Sequence, residues 1–153
     1  MTYVAVAGPG DAPPAVCAVA EEVGALLARR GAIVVCGGLG GVMAAACRGA
    51  AAHGGTTVGL LPGDTRAGAN PHLTVALPTG LGQLRNGLVV AAADALIAVG
   101  GNWGTLSEVA LAARAGKPVA AVGGWTVSGP DGPVDAAVTR CATAAEAVAA
   151  VLP

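Results

Sequence analysis

Residues 95–108, Ala95-Leu96-Ile97-Ala98-Val99-Gly100-Gly101-Asn102-Trp103-Gly104-Thr105-Leu106-Ser107-Glu108, decide the fold. Five apolar residues in a row, without polar alternation, read as a strand buried on both faces. A glycine turn follows, and then an Ala-rich segment, Thr105 to Ala115, with helical spacing. Strand, glycine turn and helix in this order form half of a βαβ unit.

The same alternation continues in both directions. Towards the N-terminus, strands are predicted at Tyr3–Ala7, Ala32–Cys36, Thr56–Leu61 and, more weakly, Leu73–Leu77. Helices are predicted from an Asp11 cap through Pro13 and Pro14 to Arg30, from Val42 to about His53, and from Gly82 to Ala93. Towards the C-terminus follow a strand at Pro118–Val122, a loop from Gly123 to Pro133, a strand near Ala136–Thr139 and a helix at Thr143–Val151. The expectation is an α/β chain, residues 1–153, forming a single Rossmann-like domain. Its sheet is mostly parallel, with helices on both faces.

Composition narrows the function. Of 153 residues, 54% are apolar and 11% charged, too hydrophobic for a disordered chain. With a net charge of -1 and no basic run, duplex nucleic acid is not an expected partner. Aromatics are 2%, which leaves few platforms for stacking single-stranded bases. No apolar stretch is long enough to cross a bilayer, and no secretory leader is visible, so no membrane partner is expected. Cys17, Cys36, Cys47 and Cys141 lack C-x-x-C spacing and read as reduced, buried thiols of a cytoplasmic protein. No His/Cys/carboxylate spacing predicts a metal site.

Ligands of open α/β sheets bind beyond the carboxyl ends of the strands. Every glycine cluster here lies at such an end: Gly8 and Gly10, then Gly37, Gly38 and Gly40, then Gly100, Gly101 and Gly104. Free N–H groups at a helix start suit an anion such as phosphate, and Asn102 and Thr105 add side-chain groups. A dinucleotide fingerprint is disfavoured, because no third glycine follows Gly8-Pro9-Gly10 and no acid ends the second strand. A P-loop is absent. Arg85, at the start of a helix, offers a guanidinium for bidentate anion binding, with Asn86 beside it. Glu108 reads either as the partner of Thr105 in a capping box or as a carboxylate aimed into the cleft. Asp64, Arg66 and Asn70 are placed near the same mouth, and Trp125 in a surface loop or subunit contact. The helices from Val42 and Gly82 carry few charges, which indicates subunit contacts.

Gly37-Gly38-Leu39-Gly40-Gly41-Val42-Met43, Arg48-Gly49-Ala50, Gly54-Gly55, Arg85-Asn86, Asp94 and Gly100–Glu108 occur in the order seen in the Lonely-guy superfamily, once labelled lysine decarboxylase-like. The chain resembles that superfamily from about Tyr3 to Val151. Its phosphoribohydrolases carry an Arg-Lys pair and a P-G-G-x-G-T-x-x-E motif, and for them the resemblance implies Arg85 and Glu108 as catalytic residues. Here Asn86 replaces the lysine, Gly100 the proline and Asn102 the second glycine. In these features the chain is more similar to short bacterial proteins related to molybdenum cofactor carriers. That likeness implies a homodimer or homotetramer binding a phosphorylated pterin without transforming it. The expectation is therefore a carrier for a small phosphorylated heterocycle, a nucleoside monophosphate or the molybdenum cofactor, with no cofactor required for its own work. The alternative is an N-glycosidic hydrolase acting on nucleoside 5'-monophosphates.

Overall fold

The computed structural model describes residues 1–133 and 137–153. Seven parallel strands form one sheet: β1 (Tyr3–Ala7), β2 (Ile33–Cys36), β3 (Thr57–Leu61), β4 (Val75–Pro78), β5 (Ala95–Val99), β6 (Val119–Val122) and, after the hairpin described below, β9 (Thr139–Cys141). Their spatial order is β4-β3-β2-β1-β5-β6-β9. The chain works outward from β1 to β4 on one side, then returns to place β5 on the other side of β1. The loops after β1 and β5 therefore fork apart, which creates the crevice where such sheets bind ligands.

Helices cover both faces. On one lie α1 (Pro14–Arg29), α2 (Gly41–Ala51) and α5 (Ala144–Val151), packed on Val4, Val6, Val34, Ile97 and Val99. On the other lie α3 (Arg85–Ala91) and α4 (Trp103–Arg114), packed on Ala5, Val35, Leu60 and Leu96. Alternate residues of each central strand thus feed two cores, which is why these strands carry no polar alternation.

Small residues let α1 and α2 touch through their backbones. A Cβ on Gly24 would lie 1.9 Å from the Ala46 carbonyl oxygen, and one on Gly49 would lie 1.9 Å from that of Glu21. Neither site has room for any other residue. Above this contact, Arg48 and Glu21 form an exposed ion pair at 2.6 Å.

Several predicted boundaries shift. Asp11 caps nothing: α1 begins at Pro14, with Pro13 at the cap and no side-chain bond. The Gly82–Ala93 helix divides into a 3-10 turn at Gly82–Leu84 and α3 proper, which ends at Ala91. The fourth strand runs from Val75 rather than Leu73, and the last lies at Thr139–Cys141; Ala136, its predicted start, lies outside the described residues. The 123–133 loop contains a short hairpin, β7 (Ser128–Gly129) with β8 (Gly132–Pro133). The four cysteines are free, but only Cys36 and Cys47 are buried; Cys17 and Cys141 are half-buried. Among the described residues no helix is long and apolar enough to cross a membrane.

The apolar character of α2 is consumed inside the chain, since seven of its eleven residues are buried. It therefore needs no subunit contact to explain it. The region of α3 is different: Leu81, Leu84 and Leu88, at helical spacing, stay 45%, 80% and 41% exposed.

Candidate functional site

Among the described residues six polar side chains are buried, and four of them meet beneath the crevice: Arg85, Asn86, Thr105 and Glu108. Burying such groups costs free energy unless each is paired, so their concentration at one place marks the site. Arg85 is the first residue of α3, and the turn before it aims the side chain under the ends of β2 and β3. Its Nε donates to the Leu60 carbonyl at 2.8 Å and Nη2 to the Gly37 carbonyl at 3.2 Å; Nη1 donates to Asn86 Oδ1. The guanidinium is thus a brace between two strand ends as well as a buried positive charge. A solvated arginine, the ordinary fate of this residue type, is not what the fold makes of it.

Gly37 is a glycine because of this brace. A Cβ there would sit 2.6 Å from Arg85 Nη2. Asn86 Nδ2 donates to Ser107 Oγ at 3.1 Å, and Ser107 donates in turn to the Gly104 carbonyl at 2.6 Å. Those bonds tie α3 to the first turn of α4.

Asn102 caps α4. Its Oδ1 accepts from the Thr105 amide at 2.9 Å and from Thr105 Oγ1 at 3.0 Å. The helix starts at Trp103, two residues earlier than predicted. This arrangement overturns the Thr105–Glu108 capping box. A related pair occurs at α5 instead, where Thr143 Oγ1 accepts from the Glu146 amide and Glu146 Oε2 accepts from the Ala142 amide. Glu108 is therefore free of any capping duty. It lies on the buried stripe Thr105, Glu108, Ala112 of α4, and no hydrogen bond to its carboxyl occurs among the described residues. Burial raises its pKa to about 7, against the pull of the Arg85 charge. The Arg85 pKa is lowered by burial, with the charge of Glu108 opposing.

The amides of Gly101, Asn102, Trp103 and Gly104 donate to no acceptor among the described residues. They stand at the positive end of the α4 dipole. At the root of the fork, Gly8 packs on the end of β5: a Cβ there would meet the Val99 carbonyl oxygen at 2.5 Å. The β2 loop packs on the β1 loop as well, with the Val42 amide donating to the Pro9 carbonyl at 3.0 Å. A Cβ on Gly40 would lie 3.2 Å from the Gly10 carbonyl oxygen, and Gly38 takes φ +80° over Leu61. Close packing of the loops and strand ends thus explains Gly8 and Gly40, while Gly37 answers to Arg85 and Gly38 to Leu61. The Cβ positions of Gly10 and Gly104 are less crowded, with nearest neighbours at 3.7 and 3.4 Å.

Other predicted residues separate. Asn70 is buried as a brace for the β2 loop, donating to the Leu39 carbonyl at 3.1 Å. Arg66 donates to the Ala76 carbonyl and, like Asp64, is exposed. Trp125 was not recognisable as part of this region. Its indole lies on Gly101, and Nε1 donates to the Asn102 carbonyl at 2.7 Å. Trp103, 76% exposed, stands beside it with ring centroids 4.8 Å apart.

A family model described as LDcluster4, SLOG cluster4 family, matches residues 1–149. The structure is similar to the molybdenum cofactor carrier protein of Chlamydomonas reinhardtii, at 35% identity and a TM-score of 0.86, over 99% of this chain and 96% of that one. It is also similar to the molybdenum cofactor binding protein of Rippkaea orientalis, at 38% identity and a TM-score of 0.78, over 80% and 76% of the two chains. A protein of Archaeoglobus fulgidus is 40% identical over 122 residues, 80% of each chain. DNA processing protein A of Helicobacter pylori shares the fold alone, at 20% identity.

Proposed function

Because the chain belongs to the SLOG cluster4 family, we propose that it is a carrier that binds a small phosphorylated heterocycle, the molybdenum cofactor being the favoured cargo. The observation that carries this reading is the likeness to the Chlamydomonas carrier protein along nearly the full length of both chains. The donor set fits an anionic cargo. In this proposal the phosphate sits on the amides of Gly101 to Gly104, with Thr105 at the helix start and the Arg85 charge beneath. The heterocycle extends towards Gly10 and Gly40.

Arg85 is held firmly in place. Three of its N–H groups serve protein acceptors, so it supplies a fixed field rather than an arm that follows a reacting group. Fixed donors lose little freedom when a ligand arrives, which favours affinity. The same brace means that Arg85→Ala would orphan two buried carbonyls, so that variant tests folding as much as binding.

A cleaner probe is Gly104→Ala. Its Cβ makes ordinary contacts with the protein at 3.4 Å and beyond, yet places a methyl group over the proposed seat. Protein purified without air from a host that makes the cofactor should release a fluorescent pterin on iodine oxidation. The Gly104→Ala variant should carry about tenfold less at an unchanged melting temperature. Absence of pterin from the parent protein, together with no heat of binding for inorganic phosphate or nucleoside monophosphates, would refute the proposal.

One observation favours a second reading, hydrolysis of a nucleoside 5'-monophosphate. Glu108 has a pKa of about 7, suited to general acid–base work at neutral pH. Free base released from a monophosphate panel, and lost in Glu108→Gln, would establish it. The exposed leucines of the α3 region would then, as for the carrier, be covered in a homodimer.

A further inference from the structure

A cavity of 260 Å³ lies beside α4, between that helix, β5 and β6, and residues 123–127 and 137–140; it shares Gly100 and Thr105 with the loop and helix start described above. Of the five alanines that line it, four lie on the sheet and α4. Ala98 and Ala121 form the floor on β5 and β6, and Ala110 and Ala113 form the wall on α4. Their side chains stop at Cβ, where larger residues would have met and closed the space. Trp125 and Arg140 also line it.

Carbon walls give water few hydrogen bonds, so water is held there weakly and an apolar group displaces it with gain. An apolar protein cavity of roughly 150 Å³ accepts one benzene ring. The space here therefore has room for a fused pair of rings. A pterin does not suit it, because the donors and acceptors on a pterin edge would be buried unpaired. The cavity thus calls for a different ligand from the proposed cargo.

Two side chains define what that ligand carries. Trp125 is fixed by its bond to the Asn102 carbonyl and by Trp103 alongside, so it presents a preset aromatic surface. Arg140, on β9, donates to the Gly123 carbonyl at 3.3 Å, which holds a positive charge near the cavity. We infer that this cavity is a binding site for a planar bicyclic aromatic anion, its rings between the four alanines and its carboxylate or sulfonate towards Arg140.

The test uses 2-naphthoate, titrated into the full chain by calorimetry and by tryptophan fluorescence. Saturable binding with quenching of Trp125 is expected. Ala113→Leu and, on the more exposed side, Ala110→Leu fill the space and should each weaken binding about tenfold. Arg140→Gln should weaken 2-naphthoate about fivefold while leaving the neutral 2-naphthalenemethanol unaffected. Leu84→Ser, on the exposed α3 face, should change nothing, which distinguishes the cavity from adsorption to surface leucines. Gly104→Ala should also leave 2-naphthoate binding intact, so failure here and failure of the carrier reading are separable. Absent saturable binding, or filled variants that bind like the parent while near-ultraviolet circular dichroism shows a native fold, would overturn the site. Equal loss of the neutral and charged probes in Arg140→Gln would overturn the anionic preference.

Discussion

Glu108→Gln should make the protein more stable as pH rises above about 4.5, with the full gain reached above about 7. The carboxyl is 9% exposed, and its pKa rises from 4.5 to about 7 on folding. Between those values the native state retains a proton that the unfolded chain has released. Stability therefore falls as pH rises through this window, and the loss is complete above the folded pKa. At 1.36 kcal/mol per pKa unit, the difference between 4.5 and about 7 corresponds to about 3 kcal/mol. Glutamine has nearly the same shape and no proton to lose. Urea melts of both proteins, followed by circular dichroism from pH 4.5 to 8.5, should coincide at the acid end. They should diverge by about 3 kcal/mol at the alkaline end, with the variant ahead by roughly 6–12 °C in melting temperature. Groups common to both proteins cancel in the difference. A gap that does not vary with pH, or a parent that gains on the variant as pH rises, would refute the burial argument and the electrostatic reading of the site with it.

Other substitutions test other parts of the fold. Gly49→Ala drives a methyl group into the Glu21 carbonyl and should cost about 3 kcal/mol or more, seen as a lower urea midpoint; an unchanged midpoint would mean that α1 and α2 are not in backbone contact. Asn102→Ala removes the α4 cap and should cost about 1 kcal/mol in the same melt, with a matching loss of phosphate binding as the amide loop loosens. Light scattering should find the parent as a dimer or larger and Leu84→Asp as a monomer, since a charge on the exposed α3 leucine row opposes burial.

Much of this architecture was legible because few residue types carry it. Uninterrupted runs such as Ala95–Val99 specify buried parallel strands, and glycines punctuate each strand end. Arg85 and Glu108 stood out because charges are scarce in this chain, and both are buried beneath the crevice. The cap of α4 was misassigned to Thr105, although asparagine is at least as good a cap and lies at the correct distance before it. The roles of the glycines were harder to read. Gly37 answers to a guanidinium 48 residues away and Gly101 to an indole from another loop, contacts that exist only once the sheet has assembled. The Trp125 bond to Asn102 spans 23 residues and leaves no periodic trace. The alanine-walled cavity escaped for the same reason, since each alanine by itself reads as ordinary packing.

The main-chain contact at Gly24 and Gly49 has a mechanical consequence at the other end of the molecule. Helices that meet backbone to backbone have no side chains between them to compress or rearrange, so the pair behaves as one stiff body. Its two leading tips carry the β1 and β2 loops. The spacing of those loops is thereby gauged by carbonyl and Cα atoms well away from the opening, and a single methyl group added at either glycine would recalibrate the width of the entrance without touching it.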